Sequence, residues 1–314
     1  MNETLNGTKE LDEEKEVTQL RHARLMRLAT YASVTVASLL ILVKTSAWFA
    51  TDSLSLLSSL VDSILDAGAS LVNLFAVSLA LQPADKEHRF GHGKAEALAS
   101  LAQAVFIAGS GTFLLLESVG RFVKPQEISN SDTGILVMAI SIVMTLLLVG
   151  FQTYVVNKTN SIAINADSLH YRADILVNIA VIVSLILSVN LQWTMADPIF
   201  ALLIILYMSI GAYKIGIQAL DVLMDREFPD EKRERIKEIA ESHESVLNVH
   251  DMRTRSSGAT SFIQFHAEMP KDILLSEAHK IADEVMCMVE KSFPNTEVLI
   301  HQDPEGVDER RDVV

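Results

Sequence analysis

Six stretches of the chain are apolar over enough length to cross a bilayer, at roughly 27–50, 53–82, 95–123, 133–156, 162–190 and 195–223. A helix needs about 20 residues to span ~30 Å of hydrocarbon, so each stretch reads as a transmembrane helix. An even number of spans puts both termini on one side of the membrane. Lys and Arg decide which side. Arg21, Arg24 and Arg27 precede the first span, Lys86, Arg89 and Lys94 surround the second connection, and Lys158 lies in the fourth. The connections near Thr51 and Trp193 contain none, and Arg121 and Lys124 in the third do not reverse the balance. Both termini are therefore expected in the cytoplasm.

Beyond Leu223 the pattern changes. A charged helical stretch at about 230–243 is followed by alternating apolar and polar residues near 246–255 and 260–269, separated by Ser256, Ser257 and Gly258. That alternation is the signature of two paired strands. An amphipathic helix near 276–292 and a last strand near 296–302 complete an α-β-β-α-β order. A sheet layer covered by two helices makes a small α+β domain of about 80 residues. The expected organisation is an acidic N-terminal tail at 1–20, a six-helix transmembrane domain at 21–224, an α+β domain at 225–304 and a short tail at 305–314.

Composition supports the division. The chain is 49% hydrophobic and 21% charged, with a mean hydropathy of +0.28. The net charge of -14 sits mostly at the two polar ends: residues 1–19 hold six acids against two bases, and residues 225–314 hold 21 against 12. So acidic a chain has no basic face for a phosphate backbone, which excludes nucleic acid as a partner. The single cysteine, Cys287, excludes both an intrachain disulfide and a thiolate metal cluster. No Gly-rich phosphate loop occurs, so neither nucleotide binding nor ATP as an energy source is expected, and no recognisable nucleophile suggests an enzyme.

The most informative feature is ionisable residues inside spans, where each charge costs about 2.5–3.5 kcal/mol at the bilayer centre on insertion scales. Asp62 and Asp66 lie four apart in the second span, and His170 and Asp174 lie four apart in the fifth. Spacing of i, i+4 puts each pair on one helix face. Two facing helices would then offer three carboxylates and one imidazole, the count of a four-coordinate site for Zn²⁺, Fe²⁺ or Mn²⁺. A second cluster, Asp85, His88 and His92, lies in the loop after span two. It reads either as a metal site completed by water or as an ordinary solvated loop. A third gathers in the α+β domain, where His250, His266, His279, His301 and Asp303 fall on adjacent elements and could share one or two ions; ordinary half-buried histidines are the other reading. His243, on the charged helix, is expected to face water. Lys44 reads as snorkelling to the outer interface, and Glu117 and Lys214 either snorkel too or pair with each other. Lys94 and Asp225 lie at one cytoplasmic level and could pair.

The chain resembles the cation diffusion facilitator family over nearly all of residues 20–304. The resemblance rests on Leu60-Val-Asp62-Ser-Ile-Leu-Asp66, Gln82-Pro-Ala-Asp85, Phe90-Gly-His92-Gly-Lys94-Ala-Glu96, Asp167-Ser-Leu-His170-Tyr171, His250-Asp-Met-Arg-Thr-Arg255 and Ile300-His-Gln-Asp-Pro304, all in order. It implies a transport site at Asp62, Asp66, His170 and Asp174, a loop site at Asp85, His88 and His92, and a two-ion cytoplasmic site at His250, His266, His279, His301 and Asp303, with Gln302 a weaker candidate. It further implies a charge interlock between Lys94 and Asp225, a hydrophobic gate at Leu169, a ferredoxin-like, metallochaperone-like cytoplasmic domain, and a homodimer in a bacterial inner membrane.

The expected function is efflux of a divalent metal cation, Zn²⁺ with Cd²⁺ and Fe²⁺ also admitted, from the cytoplasm in exchange for protons. Metal needs neutral His170 and ionised aspartates, so proton binding expels it; His170 and Asp66 are the expected coupling residues. Zn²⁺ is expected in the cytoplasmic domain as a structural or regulatory ligand. A passive divalent-cation channel and a membrane-anchored metal sensor are the competing readings.

Overall fold

A computed structural model describes residues 2–52, 54–123, 132–191, 195–258 and 260–306. The chain forms two compact units, one of His22–Leu220 and one that joins Met1–Arg21 to Asp221–Val314.

Six helices run through the first unit, the start of α1 and the last residues of α6 belonging to the second: α1 (Asn2–Thr51), α2 (Leu54–Ala80), α3 (Lys94–Val123), α4 (Asp132–Thr159), α5 (Ile162–Leu191) and α6 (Ala196–Leu223). Their positions follow the six apolar stretches closely. The exception is α1, which starts far earlier than residue 27 because Glu, Lys and Leu, all strong helix formers, fill the stretch before it. Among the described residues, five of these helices are long and apolar enough to cross a membrane, and α5 is the exception. It is as long as the others, but Asp167, His170, Arg172 and Asp174 crowd its first half. That half is enclosed by protein: Ile164, Ala166, Asp167, Ser168, His170, Tyr171 and Ala173 are all buried. A helix shielded by its neighbours can carry polar residues that a lipid-facing helix cannot. Helices α2, α3 and α4 all pack against α5.

Chain reversals after the helices use Asn and Asp. Asp52 after α1 and Asn160 after α4 have φ of +48° and +53°. Their N–H groups donate back to Trp48 and Val156 carbonyls at 2.8 Å in each case, the single-bond left-handed helix stop. Lys44 departs from expectation. Its Nζ donates to the Ser63 Oγ at 2.7 Å and the Ser59 carbonyl at 3.1 Å, so it ties α1 to α2 instead of snorkelling outward. Lys124 and Trp193 lie outside the described residues, as do the side chains of Glu117 and Arg121.

The second unit contains α7 (Asp230–Glu241), β1 (Asn248–Ser257), β2 (Thr260–Met269), α8 (Leu275–Ser292) and β3 (Thr296–Pro304). The sheet order is β1-β2-β3, with β1 antiparallel and β3 parallel to β2. Side chains alternate faces along a strand. Ile263, Phe265, Ala267 and Met269 of β2, Val249 of β1 and Val298 of β3 turn to one face. There they meet Ala278, Ile281, Ala282, Val285 and Val289 of α8, spaced as one helical stripe, with Ile236 and Ala240 of α7. The other face of the sheet is thereby left to the intervening residues, His250, His266 and His301.

His243 does not face water as expected. Its side chain is 16% exposed and its Nε2 lies 3.1 Å from Glu284 Oε2 on α8. Because Nδ1 accepts the Ser245 N–H at 3.2 Å, Nε2 carries the proton donated to Glu284. This bond holds the Glu284 carboxyl below its usual range. A carboxyl lowered in the folded state contributes stability that is complete above its unfolded value, ~4.3, and fades as pH falls through the folded one. Glu284→Gln is therefore expected to lower the melting temperature of this unit at neutral pH. The gap from the unaltered protein should close as pH drops below the carboxylate range, and a pH series of thermal melts checks it.

Candidate metal centres

The first cluster lies at the crossing of α2 and α5. Asp66 Oδ1 is 2.8 Å from His170 Nε2, and Asp174 Oδ2 is 3.8 Å from the same nitrogen. One donor atom from each of the three residues lies within 4.8 Å of the others. Asp62 is not in this group: it lies one turn before Asp66, exposed, though near enough to Asp174 and Lys44 to act on both electrostatically. Packing fixes the imidazole. Phe106 and Tyr171 each approach the His170 ring edge-on at 5.6 Å between centroids, and the Tyr171 hydroxyl meets Ser70 Oγ of α2 at 2.9 Å. His170 Nδ1 is buried without a hydrogen-bond partner. Two carboxylates and an imidazole converge around buried His170, a donor set whose chemistry suits a divalent cation.

Two supporting networks were not evident from the sequence. Buried Asp167, three residues before His170, accepts at Oδ2 from Ser33 Oγ at 2.6 Å and from Gln152 Nε2 at 2.7 Å, which links α5 to α1 and α4. Buried Glu96 of α3 caps α5: its Oε1 accepts from Ser161 Oγ at 2.5 Å and from the Ala163 N–H at 3.3 Å. Ser161 Oγ in turn accepts from the Ile164 N–H at 3.2 Å. The first N–H groups of a helix have no partner of their own, so a carboxylate from a neighbouring helix satisfies them and fixes the register of α5. The available signal was polarity at Ser33, Gln152 and Asp167 inside otherwise apolar runs.

Leu169, next to His170, is buried in the α3–α5–α6 core beside Ile107, Met208 and Ala212. It lies on the backbone of α6 at Gly211, where a Cβ would stand 2.5 Å from its Cδ2. The glycine is what lets α6 approach this leucine.

The second cluster is the loop between α2 and α3. Asp85 Oδ1 accepts from the N–H groups of Glu87 at 2.9 Å and His88 at 2.6 Å. The backbone bond from His88, the larger cause, draws its carboxyl below the usual range. His88 Nδ1 and His92 Nε2 each lie 3.4 Å from a carboxylate oxygen of Asp85. Gly91, at φ +76°, turns the chain so that both imidazoles face one carboxylate. His92 Nδ1 is buried without a hydrogen-bond partner.

The third cluster follows from strand register. His250 pairs with His266, and His266 with His301, so the three imidazoles form a row across the sheet. Ring centroids are 5.3 Å and 4.5 Å apart along it. Asp303 serves all three: it lies 2.7 Å from His266 Nδ1, 3.5 Å from His250 Nε2 and 3.2 Å from His301 Nε2. His250, His266 and Asp303 are close enough to hold one ion. Asp251 lies 3.7 Å from the other nitrogen of His266; it sits at the β1 irregularity between His250 and Arg253, where φ is +43°. The expected ligand His279 is not brought into the row. It lies on α8, which covers the opposite face of the sheet, with its side chain 71% exposed and 3.6 Å from Asp283. Lys94 and Asp225 fall in different compact units. Within its own unit, Asp225 lies 3.7 Å from Arg255 Nη1.

Family models match most of the chain. One described as the cation efflux transmembrane domain matches residues 30–224, and one described as the cation efflux protein cytoplasmic domain matches residues 228–305. Cation-efflux pump FieF of Escherichia fergusonii is 46% identical over 283 residues, 90% of this chain and 94% of that protein. The protein of the same name in Klebsiella pneumoniae subsp. pneumoniae is 46% identical over 286 residues, 91% and 95% of the two chains. That of Escherichia coli is 45% identical over 283 residues, 90% and 94%.

The Glu96 cap yields a ranked prediction. Glu96→Ala leaves Ser161 and the first α5 N–H groups buried without an acceptor, a cost of about 1–3 kcal/mol. Glu96→Gln keeps an acceptor oxygen and loses less. Thermal unfolding in detergent is expected to order the proteins with Ala least stable, Gln intermediate and Glu most stable.

Proposed function

Because the chain belongs to the cation efflux family, we propose that it exports Zn²⁺, and with it Cd²⁺ and Fe²⁺, from a bacterial cytoplasm in exchange for protons by alternating access. The observation that carries this reading is the group of Asp66, His170 and Asp174, centred on buried His170, on two facing helices. A three-donor group is one ligand short of a tetrahedral site, and Asp62, on the same face of α2, is the fourth. Metal requires the imidazole neutral and the carboxylates ionised, and protons require the reverse, so cargo and protons compete for the same atoms. His170 and Asp66, in direct contact, carry the exchange. Mixed oxygen and nitrogen donors discriminate weakly among these ions, which is why more than one is transported.

Leu169 serves as the gate. Its side chain fills the slot over Gly211, so separation of α5 from α6 at this point opens the site from one side. Both termini face the cytoplasm of an inner membrane, and the protein acts as a homodimer.

The cytoplasmic domain is regulatory. Two imidazoles and a carboxylate, His250, His266 and Asp303, suit Zn²⁺ by donor type, and buried His250 Nδ1 lacks a hydrogen-bond partner. A second ion draws on His301 and Asp303, which lie 3.2 Å apart on the same face. Asp85, His88 and His92 form a loop site. Metal bound at the sheet stabilises the associated domains by binding that state preferentially.

Transport is tested with purified protein in liposomes carrying a Zn²⁺ dye and a pH dye inside, under an imposed pH gradient. Uphill Zn²⁺ movement coupled to opposite proton movement is expected, with Asp66→Ala silent. Movement down its gradient regardless of pH would mean a channel, and retained transport in Asp66→Ala would remove the site assignment. For the cytoplasmic domain, saturating Zn²⁺ at about 100 times its dissociation constant is expected to favour the dimer by ~2.7 kcal/mol per site. The paired substitutions His266→Ala and Asp303→Ala abolish that gain, as read by sedimentation with and without Zn²⁺.

A further inference from the structure

Between α5 and α6 lies a cavity of about 470 Å³ lined by Asn165, Leu169 and Arg172 on one side and Gly211, Lys214 and Gln218 on the other. Its size falls within the ~300–1,000 Å³ of small-ligand pockets. The polar lining is two cations, two amides and the Tyr213 hydroxyl, with no carboxylate. Arg172 donates from Nη2 to Thr153 Oγ1 at 2.8 Å, and neither it nor Lys214 makes an ion pair among the described residues. Both are set well into their helices. Arg172 is ten residues from the start of α5 and Lys214 nine from the end of α6, which is ~14–15 Å along the axis. Two unpaired cations at that depth are costly without a counter-anion, although long side chains can reach up toward the headgroups.

The cation pathway is a poor explanation for this cavity, since two fixed positive charges repel a divalent metal. The surroundings point to an amphiphile. From the cavity, Leu206, Ile210, Tyr213 and Ile217 run along α6 as an exposed stripe, at 58%, 49%, 71% and 38% exposure. That spacing is one face of a helix, and acyl chains lie along such a face. We propose that the α5–α6 cavity binds the phosphate of an acidic phospholipid, with Arg172 and Lys214 as its counter-charges and Asn165 and Gln218 bonding the headgroup hydroxyls. Basic pockets between transmembrane helices take anionic headgroups by this chemistry. The bound lipid spans the same two helices that meet at Leu169 and Gly211, so it braces them together. The proposal requires only that the helices lie in a bilayer and does not depend on the metal assignment.

The test is native mass spectrometry of delipidated full-length protein in detergent, titrated with phosphatidylglycerol, phosphatidylcholine or inorganic phosphate. Phosphatidylglycerol is expected to bind tightest, and Arg172→Gln with Lys214→Gln to weaken it at least about tenfold, since charge-assisted bonds are the stronger ones. Lys214→Arg, which keeps the charge, is expected to stay close to the unaltered protein. Melting without lipid checks that the variants fold; Lys214→Gln alone, at an exposed position, carries the test if the pair does not. Equal binding of phosphatidylcholine, an unchanged affinity in the variants, or displacement of the lipid by millimolar inorganic phosphate would each overturn the proposal. The last would mark a site for a free anion.

Discussion

Everything in the transmembrane unit depends on how charge is held inside a low-dielectric bundle. A carboxylate or imidazole facing lipid is intolerable, but the same groups on a helix enclosed by protein can be retained if each finds partners. Helix α5 meets that condition. Its polar first half packs against α2, α3 and α4, and three of its ionisable groups are met from another helix: His170 by Asp66, Asp167 by Ser33 and Gln152, Arg172 by Thr153, while Asp174 lies 3.8 Å from His170 on α5 itself. The candidate metal group of Asp66, His170 and Asp174 is one part of a polar seam that also fixes the helix carrying it.

The seam is anchored from its end as well. Glu96 caps α5 from α3 through Ser161, and Gly211 admits Leu169 against α6. Contacts of α5 with α6 are a small apolar core, whereas those with α2, α3 and α4 combine apolar packing with buried hydrogen bonds. A rearrangement that opens the site would more easily part apolar surfaces than break buried polar bonds.

In the cytoplasmic domain a single geometric rule does similar work. Alternation along β1, β2 and β3 sends Val249, Phe265 and Val298 to the helix-covered face and His250, His266 and His301 to the other. Register then lines the imidazoles up beside Asp303, which sits two residues beyond His301 on the same face. The same core that stabilises the domain therefore positions its candidate ligands, and a one-residue slip would scatter them.

The sequence alone determined the elements and the chemistry they carry. Apolar runs marked the helices, alternation marked the strands, and i, i+4 spacing paired Asp62 with Asp66 and His170 with Asp174, because these signals are local and periodic. Tertiary packing decided which of those groups meet. Asp66 and His170 are 104 positions apart and touch only because α2 and α5 cross there. Asp62 lies a turn away from the group, and α8 carries His279 to the far side of the sheet. Lys44 and His243, which local pattern assigned to solvent or interface, are drawn inward to partners on α2 and α8. Partnership across helices leaves no periodic trace in a single chain, whereas the cost of an unpartnered buried charge is felt only once the neighbours are in place.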